Sequence, residues 1–162
     1  MIDLRNWQKE ALEKALKWLT VDCEDKHFLI NAAPGAGKTI ASCVIANELF
    51  EQGEIDRVIV IAPRREVVRQ WSDDFKQVTG RYMAKVTAAD SDDLETDVCA
   101  TWQALSKLQD AMQSICSASR VLVICDEIHH AAVEAAWGES ACSGFSKAKY
   151  VLVLTGTPIR SD

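Results

Sequence analysis

The run Ala32-Ala33-Pro34-Gly35-Ala36-Gly37-Lys38-Thr39 lies between a short apolar stretch and a longer stretch of helical periodicity. It matches G-x-x-x-x-G-K-[ST] except that Ala32 takes the place of the first glycine. These residue types suit a phosphate cradle. Gly35 and Gly37 let the backbone of the loop Pro34-Gly35-Ala36-Gly37 curl until its N–H groups converge on phosphate oxygens. The helix that follows adds its positive N-terminal end. Lys38 is long enough to reach the β and γ phosphates of a nucleotide, and the Thr39 hydroxyl suits Mg²⁺. The plain alternative is a glycine turn that happens to precede Lys-Thr, and the strand–loop–helix context weighs against it.

A second chemical pair, Asp126-Glu127, directly follows the apolar run Arg120-Val121-Leu122-Val123-Ile124-Cys125. A carboxylate at a strand end can hold Mg²⁺ through water, the role read for Asp126. Its neighbour Glu127 can orient or deprotonate an attacking water. Two acidic residues at a strand end are a weak signal by themselves; beside a phosphate loop they are the expected second half of an ATP site. His129 and His130 follow. No Cys or further His stands at a ligand-like spacing from them, which argues against zinc. His129 reads as a link between the nucleotide site and another segment, and His130 as structural.

Elements must deliver these groups to one place. Leu4, Trp7, Ala11, Leu12, Ala15, Leu16 and Leu19 recur at helical spacing over 3–19. Short apolar runs at 27–31, 57–62, 85–87, 98–100, 120–125 and 150–154 read as strands. Helices are predicted over 38–52, with Ile40, Val44, Ile45 and Leu49 inward, and after Pro63, with Val67, Val68, Trp71 and Phe75 inward. A further helix is predicted over 102–112, and Asp90-Ser91-Asp92-Asp93 reads as a solvated loop. Strands alternating with helices imply an α/β domain, a three-layer sandwich around a mostly parallel central sheet. Ligands of such sheets bind beyond the carboxyl ends of the strands, where 34–39, 63–65, Thr101, 126–130 and 155–158 all fall.

The chain has 162 residues, enough for one domain. Its apolar runs of about 5–6 residues are far short of the ~20 that a membrane helix needs, so no membrane partner is expected. None of the six cysteines forms a C-x-x-C pair, and several sit in apolar runs, which suits a reducing cytoplasm. The net charge of −6 argues against tight nucleic-acid binding by the isolated domain and leaves room for a local basic groove.

Taken together these residues resemble superfamily 2 helicases. Asp126-Glu127-Ile128-His129-His130 is similar to the DExH motif of their excision-repair, type III restriction and phage branch. Leu154-Thr155-Gly156-Thr157-Pro158-Ile159-Arg160 resembles motif III, usually LTATPxR, with Gly156 in place of Ala. Pro63-Arg64-Arg65-Glu66-Val67-Val68-Arg69-Gln70-Trp71 resembles motif Ia, PTRELxxQW, with Arg64 where Thr is common. Thr101-Trp102-Gln103-Ala104-Leu105 resembles the TYQxL segment. Leu4-Arg5-Asn6-Trp7-Gln8 resembles the LRxYQ adenine motif; read alone it is as easily the start of an amphipathic helix, but it lies upstream of the phosphate loop, as the motif does.

The resemblance implies a RecA-like P-loop NTPase domain over 1–162, the first of two in a full-length motor, with ATP and Mg²⁺ as cofactors. It implies catalytic roles for Lys38, Asp126, Glu127 and His129, adenine recognition by Gln8 with Arg5 stacked on the base, and coupling through Thr155 and Thr157. Arg64, Arg65 and Thr101 would touch nucleic-acid phosphates, DNA more than RNA by analogy with the spelling of the motifs. It also implies that the strand carrying motif III lies between the phosphate-loop strand and the DExH strand. No QxxGRxxR-like segment follows within the chain, so a second RecA-like domain, in the same protein or in trans, is expected to supply the arginine fingers. The chain alone is expected to bind ATP–Mg²⁺ weakly and to hydrolyse it slowly or not at all. A stand-alone nucleotide-binding switch with a protein partner, or a remodelling translocase, would use the same residues.

Overall fold

The computed structural model describes residues 6–22, 27–31, 37–62, 64–87, 96–101, 104, 109–126 and 148–155. Helix α1 (Asn6–Leu16) widens into a π-helical turn at Lys17–Asp22, where the Thr20 hydroxyl donates back to the Leu16 carbonyl. Then follow β1 (His27–Asn31), α2 (Lys38–Glu51), β2 (Arg57–Ala62), α3 (Arg65–Thr79), β3 (Met83–Val86) and β4 (Asp97–Thr101). The last described elements are α4 (Gln109–Ala118), β5 (Val121–Asp126) and β6 (Tyr150–Thr155).

The six strands form one sheet in the order β1-β6-β5-β2-β4-β3, and every pairing among them is parallel. A parallel sheet must be covered on both faces, and its strands are therefore apolar throughout. Strand β2 shows how. Val58, Val60 and Ala62 point into a core shared with Ala15, Ile45, Leu49, Trp71 and Phe75 of the α1, α2 and α3 layer. Ile59 and Ile61 point the other way, into a core shared with Met112 and Cys116 of α4. The three-layer α/β sandwich expected from the sequence is thus the observed architecture. Strand β6 lies between β1 and β5, as the motif order implied.

Of the helix predicted over 102–112, the described residues Ala104 and 109–112 are helical, the latter as the start of α4, which runs on to Ala118; 102, 103 and 105–108 lie outside the described residues. Met112 and Cys116, one turn apart, are the buried residues of α4. Boundaries moved at β3 and β5. The strand expected at 85–87 spans Met83–Val86, because Met83 is buried in the core shared with α3 and Ala84 in the core on the opposite face. Strand β5 ends on Asp126 itself, which is paired to Leu154 of β6 rather than standing in the following turn. The loop read at 90–93 lies outside the described residues.

The amino ends of the strands are tied by ions. Arg120 pairs with both carboxylate oxygens of Asp56, Lys149 and the Tyr150 hydroxyl meet Glu54, and Arg81 reaches the buried Asp97 at 2.7 Å. Asp97 also accepts the Val58 N–H at 2.9 Å. The carboxyl ends are thereby left to the groups singled out above.

Candidate active site

Helix α2 starts from Gly37, whose φ of 88° is left-handed. Two constraints select glycine here. A side chain would be strained at that φ, and a Cβ would sit 2.5 Å from Gln8 Nε2. The Gly37 carbonyl accepts the Ala41 N–H at 3.1 Å, closing the first turn, and the Gln8 side-chain N–H at 2.9 Å. Gln8, on α1, is buried beside Gly37. Sequence reading assigned Gln8 to adenine; the contact to Gly37 is an additional one that no spacing rule could reveal.

Lys38 and Thr39 open α2. Lys38 is only 7% exposed and Asp126 only 3%. Lys38 Nζ stands 3.5 Å from Asp126 Oδ1. The pair links the first turn of α2 to the carboxyl end of β5. The Lys38 carbonyl accepts the buried Ser42 hydroxyl at 2.8 Å, which anchors the first turn. The other oxygen of Asp126, Oδ2, accepts the indole N–H of Trp71 at 2.8 Å. Trp71 is fully buried on α3 and was foreseen only as a core residue. The signal available was general: a buried indole N–H needs an acceptor.

Thr39 is half-buried in the first turn of α2. A triphosphate-bound Mg²⁺ takes hard oxygen ligands, one or two of them from protein, and keeps several waters. The Thr39 hydroxyl and the Asp126 carboxylate are oxygen donors of that kind, so these residues fit the ion.

On the same rim Arg64, in extended backbone, caps α3, and Arg65 is its first residue; both are exposed. Ala62 pairs with Thr101, so the arginines follow a strand that ends beside Thr101. Thr101 is buried, and its hydroxyl oxygen accepts the Ala104 N–H at 3.3 Å. Thr155 ends β6 opposite Asn31 of β1. Arg5, Pro34, Gly35, Ala36, Glu127, His129, His130 and Thr157 lie outside the described residues.

Nucleophilic thiol chemistry finds no support among the described cysteines. Cys43 and Cys99 are buried, and burial pushes both thiols up, with the charge of Asp126 adding to the effect at Cys99.

The backbone is shared with solved proteins along nearly its whole length. The UvsW helicase of bacteriophage T4 superposes with a TM-score of 0.73 over 96% of this chain and 53% of that chain, at 21% identity. The type ISP restriction-modification enzyme LlaGI, solved as a nuclease-deletion mutant in complex with a DNA substrate mimic, gives 0.72 over 97% of this chain and 18% of that chain, at 19% identity. These likenesses show a shared RecA-like fold. The family model described as type III restriction enzyme, res subunit, matches residues 1–160, and the chain belongs to that family, a helicase-like ATP-dependent one. An uncharacterized protein of Mycobacterium leprae (strain TN) is 30% identical over 164 residues, covering 98% of this chain and 26% of that protein. The chain thus spans about a quarter of the length of such curated relatives.

Proposed function

We propose that the chain is the ATP-binding motor domain of a helicase or translocase that acts on nucleic acid, DNA before RNA. The observation that carries this reading is the 3.5 Å approach of Lys38 to Asp126 at the carboxyl rim of a parallel sheet. Two buried, oppositely charged groups flanking a phosphate turn are arranged for a ligand that carries both negative oxygens and a cation. The phosphates take Lys38, and the cation takes Asp126.

In this reading Gly37 and its neighbours in the loop Pro34-Gly35-Ala36 turn backbone N–H groups on the phosphates, and α2 adds its dipole. Lys38 swings from Asp126 to the β and γ phosphates, and its positive charge stabilises negative charge on the transferred group. Thr39 and Asp126 hold Mg²⁺. When bound, the ion supplies neutralisation of charge on the phosphate oxygens. Glu127 aligns the attacking water, and His129 with Thr155 and Thr157 transmits the outcome towards the strand. Arg5 and Gln8 read the base. Arg64, Arg65 and Thr101 contact backbone phosphates, a grip that is tolerant of sequence and weakened by salt.

Support for a nucleic-acid partner comes from relatives: LlaGI was solved with a DNA substrate mimic, and a Sulfolobus solfataricus SWI2/SNF2 ATPase core with double-stranded DNA. A second RecA-like domain completes the site with arginine fingers, worth about 10³–10⁵-fold in related phosphoryl transfers. The chain alone therefore binds ATP–Mg²⁺ weakly and hydrolyses it slowly or not at all.

The test is ATP affinity of the chain and of Lys38→Ala. Hydrogen bonds to a charged group contribute about 1.5–3 kcal/mol, which is roughly a 10- to 150-fold loss of affinity in the variant. Equal affinity for the two proteins removes the phosphate turn from the site. Robust nucleic-acid-stimulated turnover by the chain alone contradicts the need for a second domain.

A further inference from the structure

We propose that Trp71 is a positioning residue for ATP–Mg²⁺ chemistry: its indole N–H sets the orientation of the Asp126 carboxylate. The inference rests on the functional reading above and adds a residue to it.

The geometry divides the carboxylate. Oδ2 accepts the Trp71 Nε1–H at 2.8 Å, and Oδ1 faces Lys38 Nζ at 3.5 Å. The terminal torsion of an aspartate is broad and soft, so a carboxylate at a strand end does not choose its own plane. A short hydrogen bond from a rigid donor chooses it. The indole is such a donor, being fully buried and packed in the core shared by α2, α3 and the sheet. A group that holds a ligating carboxylate by a second hydrogen bond orients it and tunes its affinity for the ion, with typical losses of ~10–100-fold when it is removed.

The placement also brings α3 into the site. Arg65 begins this helix and Trp71 lies six residues on, roughly 9 Å along the axis. The helix whose exposed first turn carries Arg65 is therefore the helix that orients Asp126. A merely structural role for Trp71, filling space under the sheet, would be served equally by an apolar ring without the N–H.

Trp71→Phe keeps the ring and removes the donor; Trp71→His keeps a ring N–H. Binding of a fluorescent ATP analogue is followed in EDTA and across a Mg²⁺ titration. The expected result is a Mg²⁺ half-saturation raised ~10–100-fold in Trp71→Phe, with EDTA affinity close to wild type and partial recovery in Trp71→His. An unchanged Mg²⁺ half-saturation overturns the assignment, and so does a loss of the same size with and without Mg²⁺. Wild type that fails to bind the analogue at all takes the ATPase reading down and this proposal with it, whereas wild-type binding with an unaffected Trp71→Phe overturns Trp71 alone.

A second measurement does not depend on the Phe variant folding. In ¹⁵N-labelled wild type the assigned Trp71 indole proton should resonate downfield of the other tryptophans and exchange slowly. Both properties should be lost in Asp126→Ala. An indole signal indifferent to that substitution overturns the proposal.

Discussion

At the scale of single residues the site depends on contacts that leave no slack. Gly37 is the clearest case, with its positive φ and the side chain of Gln8 occupying the space a Cβ would need. Gly37→Ala should destabilise the fold by about 1–3 kcal/mol from backbone strain alone, read as a lowered denaturation midpoint. It should also weaken ATP binding, because the Gln8 amide has to leave the Gly37 carbonyl. A variant as stable as wild type would show that the turn can relax. The buried Lys38–Asp126 pair follows the opposite logic. Breaking such a pair strands a charge in a dry setting, so Lys38→Ala is expected to cost stability as well as nucleotide affinity. Lys38→Met, which keeps the stem, restores packing but not the charge partner.

At the scale of elements, α3 joins the two ends of the proposed mechanism. Its first residue is an exposed arginine and its buried face carries Trp71. If Arg64 and Arg65 meet phosphates, replacing each by Ala should weaken binding of single-stranded DNA evenly across sequences. Each replacement should also reduce the slope of log affinity against log salt by about 0.7, the value for one phosphate contact on a single strand. The measurement suits a longer protein that contains the chain, and an unchanged salt slope in the double variant would remove this helix end from the interface. The helix closes on Gly80, whose φ of 75° and N–H to the Lys76 carbonyl form a left-handed cap. No atom lies within 4 Å of a Cβ built at Gly80, so only its φ resists substitution.

At the scale of the whole molecule the two rims of the sheet divide labour. The carboxyl rim holds the buried Lys38–Asp126 pair; the amino rim is stitched by more exposed ion pairs. There the Arg120 guanidinium and backbone N–H bond to Asp56 and hold its pKa at about 2, and Lys149 with Tyr150 lowers Glu54. A carboxylate whose pKa is lower in the folded state stabilises the fold above its unfolded value, about 3.9 for Asp. That contribution is lost as pH falls from about 4 towards 2. Asp56→Asn should therefore flatten the fall of thermal midpoint across this window and have its largest destabilising effect near neutral pH. Parallel acid curves for the two proteins would show that Arg120 and Asp56 do not pair in solution. Salt should shrink the difference, since these side chains are about half exposed.

Much of this was legible in the chain itself. Alternating apolar runs and helical stripes determined a parallel three-layer sheet, because a strand buried on both faces has to be apolar throughout. The turn onto α2 was legible in Gly37, whose left-handed φ glycine alone adopts easily, and the order of β1, β6 and β5 came with the motifs. Lys38 and Asp126, named from type and spacing, lie 3.5 Å apart. Boundaries were less legible: the helix expected to end near 112 continues in α4 to Ala118, and the strand expected at 85–87 begins at Met83, since short apolar runs fit several end points. What tertiary structure alone decided is which side chains meet across long separations. Gln8 and Gly37 are 29 residues apart, and Trp71 and Asp126 are 55 apart. No local periodicity encodes such distances; they exist because the packing of α1 and α3 against the sheet brings an amide to a carbonyl and an indole to a carboxylate.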